Sequence, residues 1–87
     1  MRGRDLVGIN VRRIRVSKGI SQERLAYDAG VDRSYLGGME RGEKNPTVDV
    51  LDRIAATLDI PIGELFHVGA DIHKKPAQLR RGRKPSS

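Results

Sequence analysis

The chain has 87 residues, no cysteine and a formal charge of +6, which bounds it to one small domain with no disulfide framework, thiolate metal site or thiol nucleophile. It holds no run of eighteen apolar residues to span a membrane, and its N-terminus has no apolar signal core, so a cytoplasmic location is expected. Residues 1–15 carry five arginines against Asp5, residues 16–66 carry six Lys/Arg against nine Asp/Glu, and residues 67–87 carry six against Asp71, so the positive charge gathers at the two ends, where it either faces phosphates or serves solubility alone.

Residues 1–4 read as a loose basic arm. Asp5 is placed to cap a first helix running to about Ser17. Val7, Val11 and Ile14 recur at i, i+4 and i+7 as its buried face, leaving Arg12 and Arg13 for solvent or phosphate. Lys18-Gly19 ends it, with glycine in the usual C-terminal place. Ser21 caps a second helix, and Glu23 in its first turn suits the helix dipole.

From Gln22 to Arg41 the pattern is more specific. Leu25, Ala26 and Ala29 share one helical face, Leu36 and Met39 sit at i and i+3 on the next helix, and Val31 can plug the space between. Gly30 falls where the chain must reverse, a place that favours a residue reaching positive φ without strain. Ala26 is small where a second helix would cross closely, and Asp32 is placed to cap the third helix, which ends at Arg41-Gly42. The set reads as a helix-turn-helix, whose second helix enters the DNA major groove. A hairpin of helices that merely packs would not require all of these features together.

Residues 43–46 form a polar loop. Thr47 caps a fourth helix whose inner face is Val48, Leu51, Ile54, Ala55 and Leu58. Pro61 opens a short fifth helix ending near Phe66, and Leu65 and Phe66 close the core. The expected architecture is all-α, a five-helix domain over residues 1–66, followed by a basic tail over residues 67–87. The tail has too few apolar residues for a core and is expected to be disordered when free. His67 and His73, six positions apart, make a poor metal site and read as two surface histidines. No serine–histidine pairing or glycine-rich phosphate loop after a strand is present, so neither catalysis nor a cofactor is expected.

These residues resemble a known family, the Cro/CI-type or XRE helix-turn-helix regulators of bacteria and phages. The resemblance covers residues 6–66 and rests on Val11-Arg12-Arg13-Ile14-Arg15, Lys18-Gly19-Ile20-Ser21-Gln22, Leu25-Ala26, Gly30-Val31, Glu40-Arg41-Gly42, Asn45-Pro46, and Leu51 through Ile54-Ala55 to Leu58. Asp32-Arg33-Ser34-Tyr35-Leu36 followed by Met39-Glu40-Arg41-Gly42 is similar to the controller proteins of restriction–modification systems. The resemblance implies a compact bundle that binds a pseudo-palindromic operator in double-stranded DNA as a homodimer and regulates transcription. Contact with RNA polymerase would make it an activator, and blocking polymerase a repressor.

Position by position, the resemblance implies that Gln22 bonds a DNA phosphate through side chain and backbone. It places Arg33 and Ser34 against base edges, with Gly38 at a further base-reading position that has no side chain. Arg41, Lys44 and Asn45 would face the DNA backbone. Arg15 and Glu40 match a partly buried ion pair. Gly37-Gly38 departs from the pattern, since two glycines within a helix each cost about 1 kcal/mol relative to alanine. Either the bare backbone sits deeper in the groove, or this surface reads few bases.

Ile60, Ile62 and Phe66 are candidates for a dimer interface, with core packing the alternative for Phe66. In the tail, Arg80, Arg81, Arg83 and Lys84 form either a minor-groove arm around Gly82 or a non-specific phosphate contact. An antitoxin-like module that uses the same fold to hold a protein partner is the alternative function. The basic tail without aromatic anchors counts against it.

Overall fold

The computed structural model describes residues 1–69. Four α-helices follow one another: α1 (Gly3–Ser17), α2 (Gln22–Ala29), α3 (Arg33–Glu40) and α4 (Val48–Leu58). A single 3₁₀ segment, Ile62–Phe66, comes after them. Among the described residues there is no strand, and no helix is long and apolar enough to cross a membrane.

Local chemistry sets most boundaries. Ser21 Oγ accepts the Arg24 N–H at 3.0 Å and Thr47 Oγ1 accepts the Val50 N–H at 3.1 Å, so each cap satisfies a donor that the first turn leaves open. The helices end alike. Gly19, Gly30, Gly42 and Asp59 all have positive φ. In each case the next N–H reaches back to a carbonyl in the last turn: Ile20 to Arg15, Val31 to Ala26, Glu43 to Gly38 and Ile60 to Ala55. Asp59 is the one non-glycine among them, and aspartate tolerates this region better than most residues.

The core follows the helical periodicity, with Val48 the exception. Val11, Leu25, Leu36, Met39, Ile54 and Leu65 are fully buried, with Val7, Ile14, Ala26, Ala29, Leu51, Ala55 and Leu58 beside them. The α1 helix packs on α3 and on the 3₁₀ segment, while α2 packs on α3 and α4. Gly8 lets α1 approach α3. A Cβ there would overlap the Met39 carbonyl oxygen and lie 2.9 Å from that of Glu40.

Four expectations need correction. First, α1 begins at Gly3 with Arg2 at the N-cap, so Asp5 is not the cap. Its carboxylate, one turn in, accepts the Arg2 N–H at 3.3 Å and the Arg2 guanidinium at 3.1 and 3.2 Å. The same contacts tie down the expected loose arm, and Arg2 Nη2 also donates to the Gly42 carbonyl at 3.4 Å. Second, Val48 is 65% exposed, because it opens α4 and that first turn stands clear of the core. Third, the fifth element is 3₁₀ rather than α. Its bonds run three residues back, Glu64 to Pro61 and His67 to Glu64, and the Leu65 and His67 carbonyls are both taken by Asn10 Nδ2 at 3.0 Å. Fourth, Leu65 alone closes the core, while Phe66 is 45% exposed.

Candidate nucleic-acid interface

The turn between α2 and α3 is built from few parts. Gly30 takes φ 72° and ψ 33°, Val31 tucks half-buried against the core, and Ala26, 2% exposed, permits the close crossing. Asp32 occupies the N-cap of α3 without a side-chain bond to the helix backbone. Its carboxylate instead takes the Ser34 hydroxyl hydrogen. That bond comes first among the causes holding the Asp32 carboxyl below the usual carboxylate range. With its hydrogen so engaged, Ser34 offers oxygen lone pairs outward.

Arg33 and Ser34 are both exposed in the first turn of α3. Arg33 has no acidic partner among the described residues, whereas Arg2, Arg24 and Arg41 are paired with Asp5, Asp28 and Glu43. An exposed, uncommitted guanidinium at the start of a helix can offer its fork of donors to a base edge or a phosphate.

Behind this edge lies a polar network. Arg15 Nε donates to Glu40 Oε2 at 2.7 Å and Arg15 Nη2 to Glu40 Oε1 at 3.0 Å, with the side chains 11% and 2% exposed. Arg15 Nη1 donates to the Ile20 carbonyl at 2.8 Å. Gln22 Nε2 donates to Glu40 Oε1 at 2.9 Å. One carboxylate therefore links α1, α3 and the start of α2. The Gln22 backbone N–H, in the first turn of α2, has no intrahelical acceptor and is open to an anion.

Gly37 and Gly38 are buried, covered by side chains from outside α3. A Cβ on Gly37 would meet Arg41 Nη1 at 3.4 Å and the Gln22 amide at 3.8 Å, and one on Gly38 would meet the Lys44 stem. Arg41 also pairs with Glu43 at 3.1 Å, which raises the Arg41 pKa and lowers that of Glu43, chiefly through their side-chain hydrogen bonds. Lys44 and Asn45 are exposed. So Gln22, Arg41 and Lys44 lie over the Gly37-Gly38 backbone, while Arg33 and Ser34 stand exposed in the first turn of α3. Arg80, Arg81, Arg83 and Lys84 lie outside the described residues.

The helix-turn-helix model HTH_3 matches residues 11–65 of the chain. This protein belongs to the helix-turn-helix family of transcriptional regulators. The HTH-type transcriptional regulator SlrR of Bacillus subtilis is 38% identical over 71 residues, covering 80% of this chain and 47% of SlrR. The chain thus spans about half the length of that relative. The control protein C.BamHI of Bacillus amyloliquefaciens is 40% identical over 62 residues, which is 70% of this chain and 76% of C.BamHI. Among solved structures, the restriction-modification controller protein C.AhdI from Aeromonas hydrophila superposes with a TM-score of 0.71 at 44% identity. That match covers 72% of this chain and 96% of C.AhdI.

In this helix-turn-helix protein the apolar candidates for an interface divide. Ile60 and Ile62 are half-buried against the core, whereas Phe66 and the neighbouring Val68 are exposed. Apolar periodicity alone does not mark Asn10 or Gly8. Asn10 is fully buried and accepts Arg13 Nη2 at 3.0 Å while donating to two carbonyls. Its register was the signal available: it lies three residues after Val7 and four before Ile14, so it shares their inward face.

Proposed function

We propose that this helix-turn-helix protein is a sequence-specific DNA-binding regulator of transcription that lays α3 in the major groove. The observation that carries this reading is Arg33, exposed and without an acidic partner among the described residues, at the first position of α3. The Arg15–Glu40–Gln22 network holds that helix in place. Arg33 and Ser34 read base edges. The Arg33 fork suits guanine O6 and N7, and the Ser34 oxygen suits a base amino group. Gln22, Arg41 and Asn45 contact the phosphate backbone and set the register of the protein on the duplex. Regulation follows from where the bound protein stands relative to RNA polymerase.

The protein acts as a two-fold dimer on a pseudo-palindromic site, because one recognition helix covers too few base pairs for specificity in a genome. Exposed Phe66 supports an interface at that end of the domain, with the half-buried Ile60 and Ile62 as the other candidates. Residues 80–84 add basic charge for a further contact with the duplex.

Selection of bound duplexes from a random pool tests this reading. A two-fold motif is the expected result, and recovery of no motif contradicts it. In the same assay Arg33→Ala relaxes preference at one position per half-site, by about 1–3 kcal/mol of discrimination. Gln22→Ala weakens binding to all sequences alike. Equal losses on motif and random DNA for Arg33→Ala would reassign that residue to the backbone. Removing residues 70–87 lowers the salt dependence of binding, by about 0.9 in log–log slope for each phosphate that this segment neutralises.

A further inference from the structure

Gly38 lies four positions after Ser34, on the face of α3 that carries that exposed hydroxyl. It has no side chain of its own, and the place is filled from the loop. A Cβ on Gly38 would lie 3.2 Å from Lys44 Cγ, 3.6 Å from Cδ and 3.0 Å from Cε, so the lysine stem runs across bare helix backbone. Two features put it there. The Gly42 N–H donates to the Met39 carbonyl at 3.0 Å and the Glu43 N–H to the Gly38 carbonyl at 2.9 Å. With Gly42 at φ +77°, these bonds fold the departing chain back over the last turn of α3. Tyr35, one turn before Gly38, then sets its ring 5.9 Å from Lys44 Nζ, within cation–π range.

We propose that Lys44 is a specificity-determining residue. Its stem takes the place of the missing side chain at Gly38, and its ammonium donates to the guanine O6 and N7 acceptors of one base pair in each half-site. This replaces the backbone contact that the family resemblance implies for it, and it rests on α3 lying in the major groove. A lysine that only touches phosphate works as a flexible point charge and needs no fixed path. Here the stem is laid along the recognition helix, and Tyr35 holds the charge beside it. Part of the ordering that a base contact requires is therefore already present in the free protein. Gly38 then has a purpose that neither a deeper-seated helix nor a surface with little readout provides: it is the seat for a side chain rooted outside the helix.

The test is selection from a random duplex pool with the full chain and with Lys44→Met, Gly38→Ala and Arg33→Ala, each checked for folding by its melting curve. Methionine keeps an apolar stem and removes the charge. Lys44→Met is expected to lose preference for one G·C pair per half-site, distinct from the pair at which Arg33→Ala loses it. Its binding to the wild-type motif should weaken by about 5–150-fold, with a much smaller loss on random duplex. Gly38→Ala, whose methyl pushes the stem outward by a few tenths of an ångström, should erode preference at the same pair as Lys44→Met, to a smaller extent, while the ammonium remains. If the wild type selects a motif that Lys44→Met retains in full, with equal losses on motif and random DNA, Lys44 is a phosphate contact and the inference fails alone. If Gly38→Ala folds and keeps the whole motif, the seat has no part in readout. If the wild type selects no motif, the major-groove reading falls and takes this inference with it.

Discussion

Asn10 and Leu65 stand 55 positions apart, and the buried side-chain amide of the first donates to the carbonyl of the second at 3.0 Å. The same nitrogen serves the His67 carbonyl, also at 3.0 Å, so one residue of α1 holds the 3₁₀ segment against the domain. Asn10→Ala removes the donor from both carbonyls and is expected to destabilise the fold by about 2–3 kcal/mol, the usual penalty for buried polar groups left unpaired. Asn10→Asp is expected to cost more, since it sets an acceptor against two acceptors. Denaturant titration measures both. An Asn10→Ala midpoint equal to the wild type would show that water replaces the amide without loss.

Glu40 is the hub of the second long-range contact. Its carboxylate holds Arg15 through two bonds and Gln22 through a third. Glu40→Ala leaves the Arg15 guanidinium, 11% exposed, without its counter-charge, and is expected to cost about 3–5 kcal/mol. Arg15→Met with Glu40→Leu, which removes both charges, should recover much of that loss. A thermal melt of Glu40→Ala that overlays the wild type would contradict the assignment.

Gly8 tests the closeness of α1 and α3. In an exposed helix, Gly→Ala stabilises by about 1 kcal/mol. Here the added methyl meets the backbone carbonyls of Met39 and Glu40, neither of which can swing aside as a side chain would. Gly8→Ala is therefore expected to destabilise by about 1–3 kcal/mol. Gly3→Ala, where a Cβ would meet nothing within 4 Å, serves as the control and should be neutral or stabilising. Equal melting shifts for the two variants would remove the close approach as a constraint.

Acid sensitivity follows from three surface carboxylates. Asp5 is held below its ordinary range chiefly by the Arg2 side-chain hydrogen bond, Asp32 by the Ser34 hydroxyl and Glu43 by the Arg41 side chain. A carboxylate with a lowered folded pKa binds fewer protons when folded than when unfolded. Its contribution is thus present above the unfolded value near ~4 and is lost as the pH falls through the lowered one. Melting temperature is expected to decline below about pH 4, with a shallower decline in Asp5→Asn. Because Asp5 and Glu43 pair with arginines at the surface, their share of the decline should also flatten in high salt. An Asp5→Asn melting profile with the wild-type slope between about pH 2 and 4 would show that the Arg2–Asp5 pair takes no part.

What the chain encodes by itself is what a few neighbouring residues decide. Gly19, Gly30 and Gly42 stop helices because left-handed backbone is cheap only for glycine and a few others. Ser21 and Thr47 start helices because a hydroxyl at the cap reaches an open N–H. The repeat of Val7, Val11 and Ile14, and that of Leu51, Ile54 and Leu58, picks out the core because helical periodicity alone puts those residues on one face. The helix-turn-helix between Gln22 and Arg41 is legible for the same reason, since its turn and its small crossing residue are local features. Other features depend on how the helices are placed relative to one another. These include the reach of Asn10 to Leu65, the carbonyls of α3 closing on Gly8, the Lys44 stem on Gly38 and the exposure of Val48. Pattern fixes the direction in which a side chain leaves its own helix, but not what stands opposite. The partner is set by packing across tens of residues of chain, and only the tertiary structure brings the two together.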